Sequence, residues 1–430
     1  LIKEIKLEII RRNMLILNTS WIISGKIFQM ILSLTVGIYS ARFLGPSNYG
    51  ILSLSSAYLT ILIPLCTLGI SSIFVNEILA NPKGEGLLIG SAIGLRLVSS
   101  LCAIFINAIV SIIFHAKEQY FVIISIIQSF SLLFQSFDLV SLWYQSKLKS
   151  KYPIIVSTLA YIVGASFKIV LLVLKVEVFW FAFSITFESI IIALAYYYIY
   201  NKHAKEKLRF STYASINLLK KSYHYILSAL MVAIYGQIAK VMLGNMLSEK
   251  YVGLFSSAIA LSSIWPFILT AIIDSARPEI IKVRVENKEI YLKKITQLYA
   301  VIFWFSIFAS IVLVILSKYI ISLLYGIEYL EALVPFRIIV WSTGFSYLGV
   351  ARNIWMVCEE KQKYEKYLAT YGAIISFITT FILIKKWGII GAAVATLITQ
   401  VLVNLIIPLF IDDLRENSKL ILKGIIFKIF

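Results

Sequence analysis

Ten charged side chains interrupt otherwise apolar stretches of this 430-residue chain, and they are the residues best placed to do chemistry. Seven are basic (Lys26, Arg96, Lys168, Lys240, Arg277, Arg337 and Arg352) and three acidic (Asp138, Glu188 and Asp274). A lysine or arginine at the centre of an apolar helix costs about 2.5–3.5 kcal/mol to insert, so a midspan cation normally faces a wet cavity or a partner. Lys26 and Arg96 lie too deep for easy snorkelling, whereas Lys168 and Lys240 sit nearer the outer ends of their segments. These four are the expected substrate-binding residues. An excess of cations implies an anionic substrate, because unit charges 4 Å apart interact by about 4 kcal/mol at an effective dielectric of about 20. Phosphate or diphosphate suits them. Asp138, Glu188 and Asp274 would balance these charges or carry a proton through a cycle. Asp274, three residues before Arg277, also reads as half of an internal ion pair beside Pro278. Arg337 and Arg352, toward segment ends, read as snorkelling or headgroup-binding residues.

Enzyme signatures are missing. The chain has no Walker-type glycine loop, His-Glu-x-x-His or Cys-x-x-Cys; His115, His203 and His224 are scattered. No catalytic residue, metal or cofactor is expected, and an ion or proton gradient is the expected energy source. Cys66, Cys102 and Cys358 give no disulfide framework.

The elements that position these charges are membrane helices. At 60% hydrophobic and 14% charged, the chain is far more apolar than a soluble protein at about 45–50%. Twelve stretches are long enough to span a bilayer: 14–41, 50–77, 86–114, 120–144, 153–174, 178–200, 223–246, 251–275, 296–317, 333–357, 366–384 and 388–411. Barrel strands would alternate over about 9–11 residues, and these runs do not. Counted in alternate connections, 26 of the 40 lysines and arginines fall on one side, including both termini, and seven on the other. By the positive-inside rule, both termini and the even-numbered connections are cytoplasmic. A net charge of +18 is therefore read as membrane orientation and not as nucleic-acid binding.

The longest polar connection, 201–222, carries six lysines or arginines and divides the chain into lobes 1–200 and 223–411, followed by an amphipathic cytoplasmic tail, 412–430. Tyr49-Gly50-Ile51-Leu52-Ser53 and Tyr251-Val252-Gly253-Leu254-Phe255-Ser256 recur at equivalent places in the two halves. The fold expected is an all-α polytopic membrane protein of about 12 transmembrane helices in two six-helix repeats, an arrangement that recurs in transporters.

Arg42-Phe43-Leu44-Gly45-Pro46-Ser47-Asn48-Tyr49-Gly50 resembles the signature of Wzx-type polysaccharide and O-antigen flippases of the multidrug/oligosaccharidyl-lipid/polysaccharide exporter superfamily. Asp138 with Trp143-Tyr144-Gln145, Tyr251 to Ala258, Leu324-Tyr325-Gly326-Ile327-Glu328-Tyr329, and Gly388-Ile389-Ile390-Gly391-Ala392-Ala393 agree in order. The chain departs from many relatives in carrying Ala239-Lys240 where they carry an aspartate, which puts a carboxylate-based coupling step there in doubt. The resemblance implies two six-helix lobes around a central cavity in the bacterial cytoplasmic membrane. It further implies export of undecaprenyl diphosphate-linked oligosaccharide for O antigen, lipopolysaccharide or capsule, with Arg42, Gly45, Pro46, Tyr49 and Gly50 as family-motif residues. A polysaccharide polymerase and a chain-length regulator would be protein partners, beside the membrane lipids.

Structural readings stand beside these. Gly45-Pro46 makes a turn, and Gly90 and Gly94 admit a neighbouring helix. Trp143, Tyr144, Trp180 and Trp387 form interfacial belts. A glycan polymerase or ligase, a multidrug exporter of the same superfamily, and a membrane scaffold remain rivals. The first should show a long outer loop, the second an anionic cavity, and the third leaves Lys26 and Arg96 unexplained.

Overall fold

The computed structural model describes residues 2–116 and 118–426, with side chains described at 18, 20–116 and 118–426; Lys3, Lys6, Arg11, Arg12, Lys117 and Lys428 of the orientation count lie outside these side chains. All regular structure among the described residues is helical. Among the described residues, nine helical stretches are long and apolar enough to cross a membrane, and Glu249–Ser262 with Phe267–Glu286, bent by 43°, makes a tenth. Two of them, Ser20–Ala80 and Gln362–Phe410, are 61 and 49 residues long, about twice a bilayer span. The first also turns at Leu68-Gly69 (φ 52° and 65°); the breaks that separate spans fall at Gly45 (φ 72°) and Gly388 (φ 55°), so the ten stretches hold the twelve lengths expected. Both breaks shrink an anticipated loop to a single residue. Only glycine reaches these dihedrals without a Cβ penalty.

Two compact units divide the chain, Leu1–Phe43 with Ser55–Leu230, and Leu44–Leu54 with Met231–Phe430. The first unit contains most of α1 (Ile2–Thr67), then α2 (Ile70–Ala80), α3 (Glu85–Phe114) and α4 (Gln119–Ser129). After these come α5 (Ser131–Phe134), a 3₁₀ turn at Gln135–Asp138, α6 (Leu139–Ser146), α7 (Lys151–Val173) and α8 (Val178–His203). Helix α7 lies along α8, and α4 packs on α3 and α8. Phe74, Ile89, Leu139, Trp143 and Tyr200 fill the core. Trp143 and Tyr144 are 2% and 1% exposed: their rings are packing residues whose polar atoms bond Glu85 and the Ile199 carbonyl, not interfacial belts. Trp180 and Trp387 are exposed.

The connection after α8 is shorter than its polarity suggests, because α9 (Thr212–Met246) begins well before the apolar run. Its non-helical part, 204–211, lies along α3. A Cβ on Gly86, Gly90 or Gly94 would fall 2.3 Å from the Lys207 carbonyl oxygen, 2.3 Å from that of Arg209, or 2.6 Å from the Phe210 ring. The glycine row, spaced one turn apart, thus admits a non-helical strap where a helix was expected. The Arg209 and Ser211 amides donate to the Gly86 carbonyl (3.1 Å) and Ser91 Oγ (3.0 Å). The Glu206 carboxylate accepts from the amides of Gly84 (3.1 Å) and Gly86 (3.0 Å), which hold it below its usual range.

The second unit contains α10 (Glu249–Ser262), α11 (Phe267–Glu286), α12 (Lys288–Leu324), α13 (Leu333–Cys358), α14 (Glu365–Val401) and α15 (Asp412–Ile425). Helix α13 packs on α12 and α14 around Leu269, Tyr299, Leu348 and Trp355. The apolar face of the amphipathic α15 is sealed against α12. Leu414 and Ile421 are fully buried there, and Asn417 Nδ2 donates to Tyr299 Oη at 2.6 Å. Arg352 departs from its snorkelling reading: 5% exposed, it donates to the carbonyl and Oδ1 of Asn404, both at 3.2 Å. Asn404 sits in a π-turn, Leu402–Ile406, whose extra residue leaves a carbonyl free to accept. Arg337 Nε bonds Ser317 Oγ at 2.8 Å.

Candidate functional site

The polar residues of the first unit's spans converge on a cavity of about 570 Å³. Lys26 and Gln29 reach it from one face of α1. Gln29 Nε2 lies 3.0 Å from both Ser157 Oγ and Thr158 Oγ1, which fixes that turn of α1 on α7. Gly25 brings the two backbones close, since a Cβ there would lie 2.3 Å from Ile154 Cγ2. Asp138 enters from the 3₁₀ turn. The tighter winding re-aims residues 135–138, and Gln135, Asp138 and Ser141 line the wall together.

Glu188 on α8 completes the charged lining. Its carboxylate accepts from Lys168 Nζ at 3.1 Å, in space opened by Gly164, where a Cβ would lie 2.8 Å from Glu188 Oε2. Arg96 is 2% exposed and does not line the cavity. Its Nη2 donates to Ser71 Oγ at 2.6 Å, and it attracts Asp138 through the wall. Lys168 and Arg96 therefore each have an anionic counterpart. Lys26 lines the cavity with no hydrogen-bond or ion-pair partner among the described residues. The arrangement can hold an anionic group at Lys26 and hydroxyl-bearing groups at Gln29, Gln135, Gln145, Tyr161 and Tyr196. Apart from Gln145, which stands in a family stretch, those neutral partners escaped the sequence reading, although Gln29 and Gln135 stand three residues from Lys26 and Asp138, the spacing that shares a helical face.

The other expected residues lie apart. In the second unit, Lys240 is half-buried, and no partner for it is found among the described residues. Its neighbour Ala239 lines a separate cavity of about 280 Å³, rich in hydroxyls (Tyr235, Ser262, Ser342, Thr343, Ser376) and free of lysine, arginine and carboxylate. Asp274 stands 4.0 Å from Arg277, and both are exposed. The motif residues form a packing joint. Gly50 lies against Gly253, and Gly45, next to Pro46, faces Glu328. Tyr49 interacts with Tyr325 and Tyr329, whose rings are 5.1 Å apart. Arg42 is exposed. Stretches scattered over 280 residues of sequence thus meet in one place.

Apolar helices of bilayer length around a cavity lined by charged and hydroxyl groups define a polytopic membrane fold. Solved structures share it. A lipid II flippase MurJ in an inward closed conformation aligns with a TM-score of 0.74 at 17% identity, covering 94% of this chain and 91% of that one. An inward-facing MATE-family multidrug resistance transporter of the MOP superfamily aligns at 0.67 and 14% identity, over 91% and 94%. A MOP-superfamily transporter from Pyrococcus furiosus, described as having a binding pocket of reverse polarity, aligns at 0.58 and 11% identity, over 96% of both chains. No curated protein sequence matches. The chain belongs to the polysaccharide biosynthesis protein family, whose model matches residues 15–282.

Proposed function

We propose that the protein is a flippase that carries undecaprenyl diphosphate-linked oligosaccharide units across the bacterial cytoplasmic membrane, for O antigen, capsule or a similar surface glycan. One observation carries this reading: Lys26, the lysine that lines the cavity, has no hydrogen-bond or ion-pair partner among the described residues, in a chain of a polysaccharide biosynthesis family. A cation placed midway along a membrane span without a partner is costly unless something completes it, and a diphosphate would. Gln29, Gln135, Gln145 and the tyrosine hydroxyls are suited to sugar hydroxyls. In this scheme the polyprenyl tail stays in lipid while the unit is carried by alternating access. Both termini face the cytoplasm, as the distribution of lysine and arginine indicates. A gradient supplies the energy, with Asp138 and Glu188 exchanging partners or protons during the cycle. The polymerase and chain-length regulator would act on the product.

Complementation of a flippase-null strain tests the proposal. Lys26→Ala should insert normally and fail to restore surface glycan, while Lys26→Arg restores part of it. Full glycan with Lys26→Ala would reject the cavity as the diphosphate site. Drug tolerance assayed beside surface glycan in a deletion strain distinguishes the multidrug reading, which expects loss of tolerance with glycan intact.

A further inference from the structure

A second cavity of the first unit, about 390 Å³, opens where α6 and α8 end and α7 begins, beside the strap. It shares no lining residue with the charged cavity, although both are lined from neighbouring turns of α6 and α7. Lys147, Lys149, Lys205, His203, Glu85 and Glu206 supply its charged and titratable groups.

The two carboxylates are already occupied. Glu85 Oε2 accepts from Trp143 Nε1 at 2.9 Å and from Lys147 Nζ at 2.7 Å. Glu206 accepts the Gly84 and Gly86 amides, so the start of α3 is closed to an outside anion as well. His203 Nδ1 lies 2.6 Å from Tyr144 Oη, and its ring packs on Tyr152 at 4.8 Å. Lys149 and Lys205 remain, both exposed, their ammonium groups without a hydrogen-bond or ion-pair partner among the described residues. Two uncompensated ammonium groups thus face a recess floored by aromatic rings, at the ends of apolar helices.

We infer that this recess binds the phosphate headgroup of an anionic phospholipid, held by Lys149 and Lys205 and seated against Tyr152. A lipid is the favoured source of the phosphate because the recess lies at span ends, where headgroups are concentrated and basic clusters attract them. The bound headgroup would bridge the strap, which carries Lys205, to the α6–α7 corner, which carries Lys149. The inference stands on its own residues and does not depend on the transport substrate.

Native mass spectrometry of the detergent-purified protein tests it, with phosphatidylglycerol and phosphatidylcholine offered in equal amounts. Phosphatidylglycerol should be retained by the native protein, and its affinity should fall about thirtyfold in Lys149→Gln/Lys205→Gln, as expected for two lysines near a lipid phosphate. It should be unchanged in Lys419→Gln/Lys423→Gln on α15. Lys149→Arg/Lys205→Arg keeps both charges and should retain the lipid, which covers the case of a glutamine variant that fails to fold. Equal retention of phosphatidylcholine, an equal loss in the α15 variant, or no loss in the glutamine variant overturns the inference. Inorganic phosphate displacing phosphatidylglycerol at equal concentration would overturn the lipid as the source.

Discussion

Gly50 and Gly253 contact each other reciprocally: a Cβ built on either would lie 3.0 Å from the backbone nitrogen of the other. Each would also strike the carbonyl oxygen of the residue four places before its partner. That is Glu249 at 1.7 Å for Gly50, and Pro46 at 1.9 Å for Gly253. The recurrent passages at 49–53 and 251–256 thus meet through a locally twofold joint. Close approach of two backbones is what such glycines permit in a membrane helix.

Gly50→Val and Gly253→Val should each destabilise by about 3 kcal/mol, since the obstructing atoms are backbone and cannot swing aside. Gly37, with nothing within 4 Å of its Cβ position, should tolerate alanine. Thermal midpoints in detergent check both. An unshifted midpoint in the valine variants would remove the joint from the account.

The Lys168–Glu188 pair should show energetic coupling. Glu188→Gln leaves Lys168 without its anion, and Glu188→Gln/Lys168→Met should cost less than the sum of the single changes, by about 0.5–3 kcal/mol. Midpoints of the four proteins in the cycle measure it, and strict additivity would contradict the pairing.

Glu206 should give the strap an acid-sensitive anchor. Its folded pKa lies below the ordinary value of 4.5 because the amides of Gly86 and Gly84 favour the charged form. The stabilisation is therefore complete above about 4.5 and is lost as pH falls through the lower folded value. Glu206→Gln should flatten that acid limb in midpoints measured against pH. An unchanged limb would show that other carboxylates govern it.

Asn417→Leu should cost about 1–3 kcal/mol, because it leaves the buried Tyr299 hydroxyl unpaired. Tyr299→Phe combined with Asn417→Leu should recover part of the loss. Proteolysis at the start of α15 reports the detachment directly.

How much of this was legible in the sequence differs by element. The twelve apolar lengths and the polarity of their flanks were legible, because bilayer thickness and backbone satisfaction leave few alternatives. The breaks were not. Pro266 marks the bend between α10 and α11, whereas nothing about Gln135-Ser136-Phe137-Asp138 announces a 3₁₀ turn, and that turn is what delivers Asp138 to the cavity. Depth along a helix is readable by counting, but direction around it is not. Lys26 and Arg96 were equally deep, yet one faces the cavity and the other is buried against Ser71. Gly90 and Gly94 announced a close neighbour without revealing that it was a non-helical segment.

That segment limits how the protein can be taken apart. A polar, lysine-rich stretch midway along a chain is where one would splice halves from two homologues, yet its side chains and carbonyls are fitted to bare positions on α3. Donor and acceptor would have to be exchanged together, so a viable hybrid carries residues 204–211 with the α3 they evolved against. The stretch behaves as an inlay, and its composition disguises it as a tether.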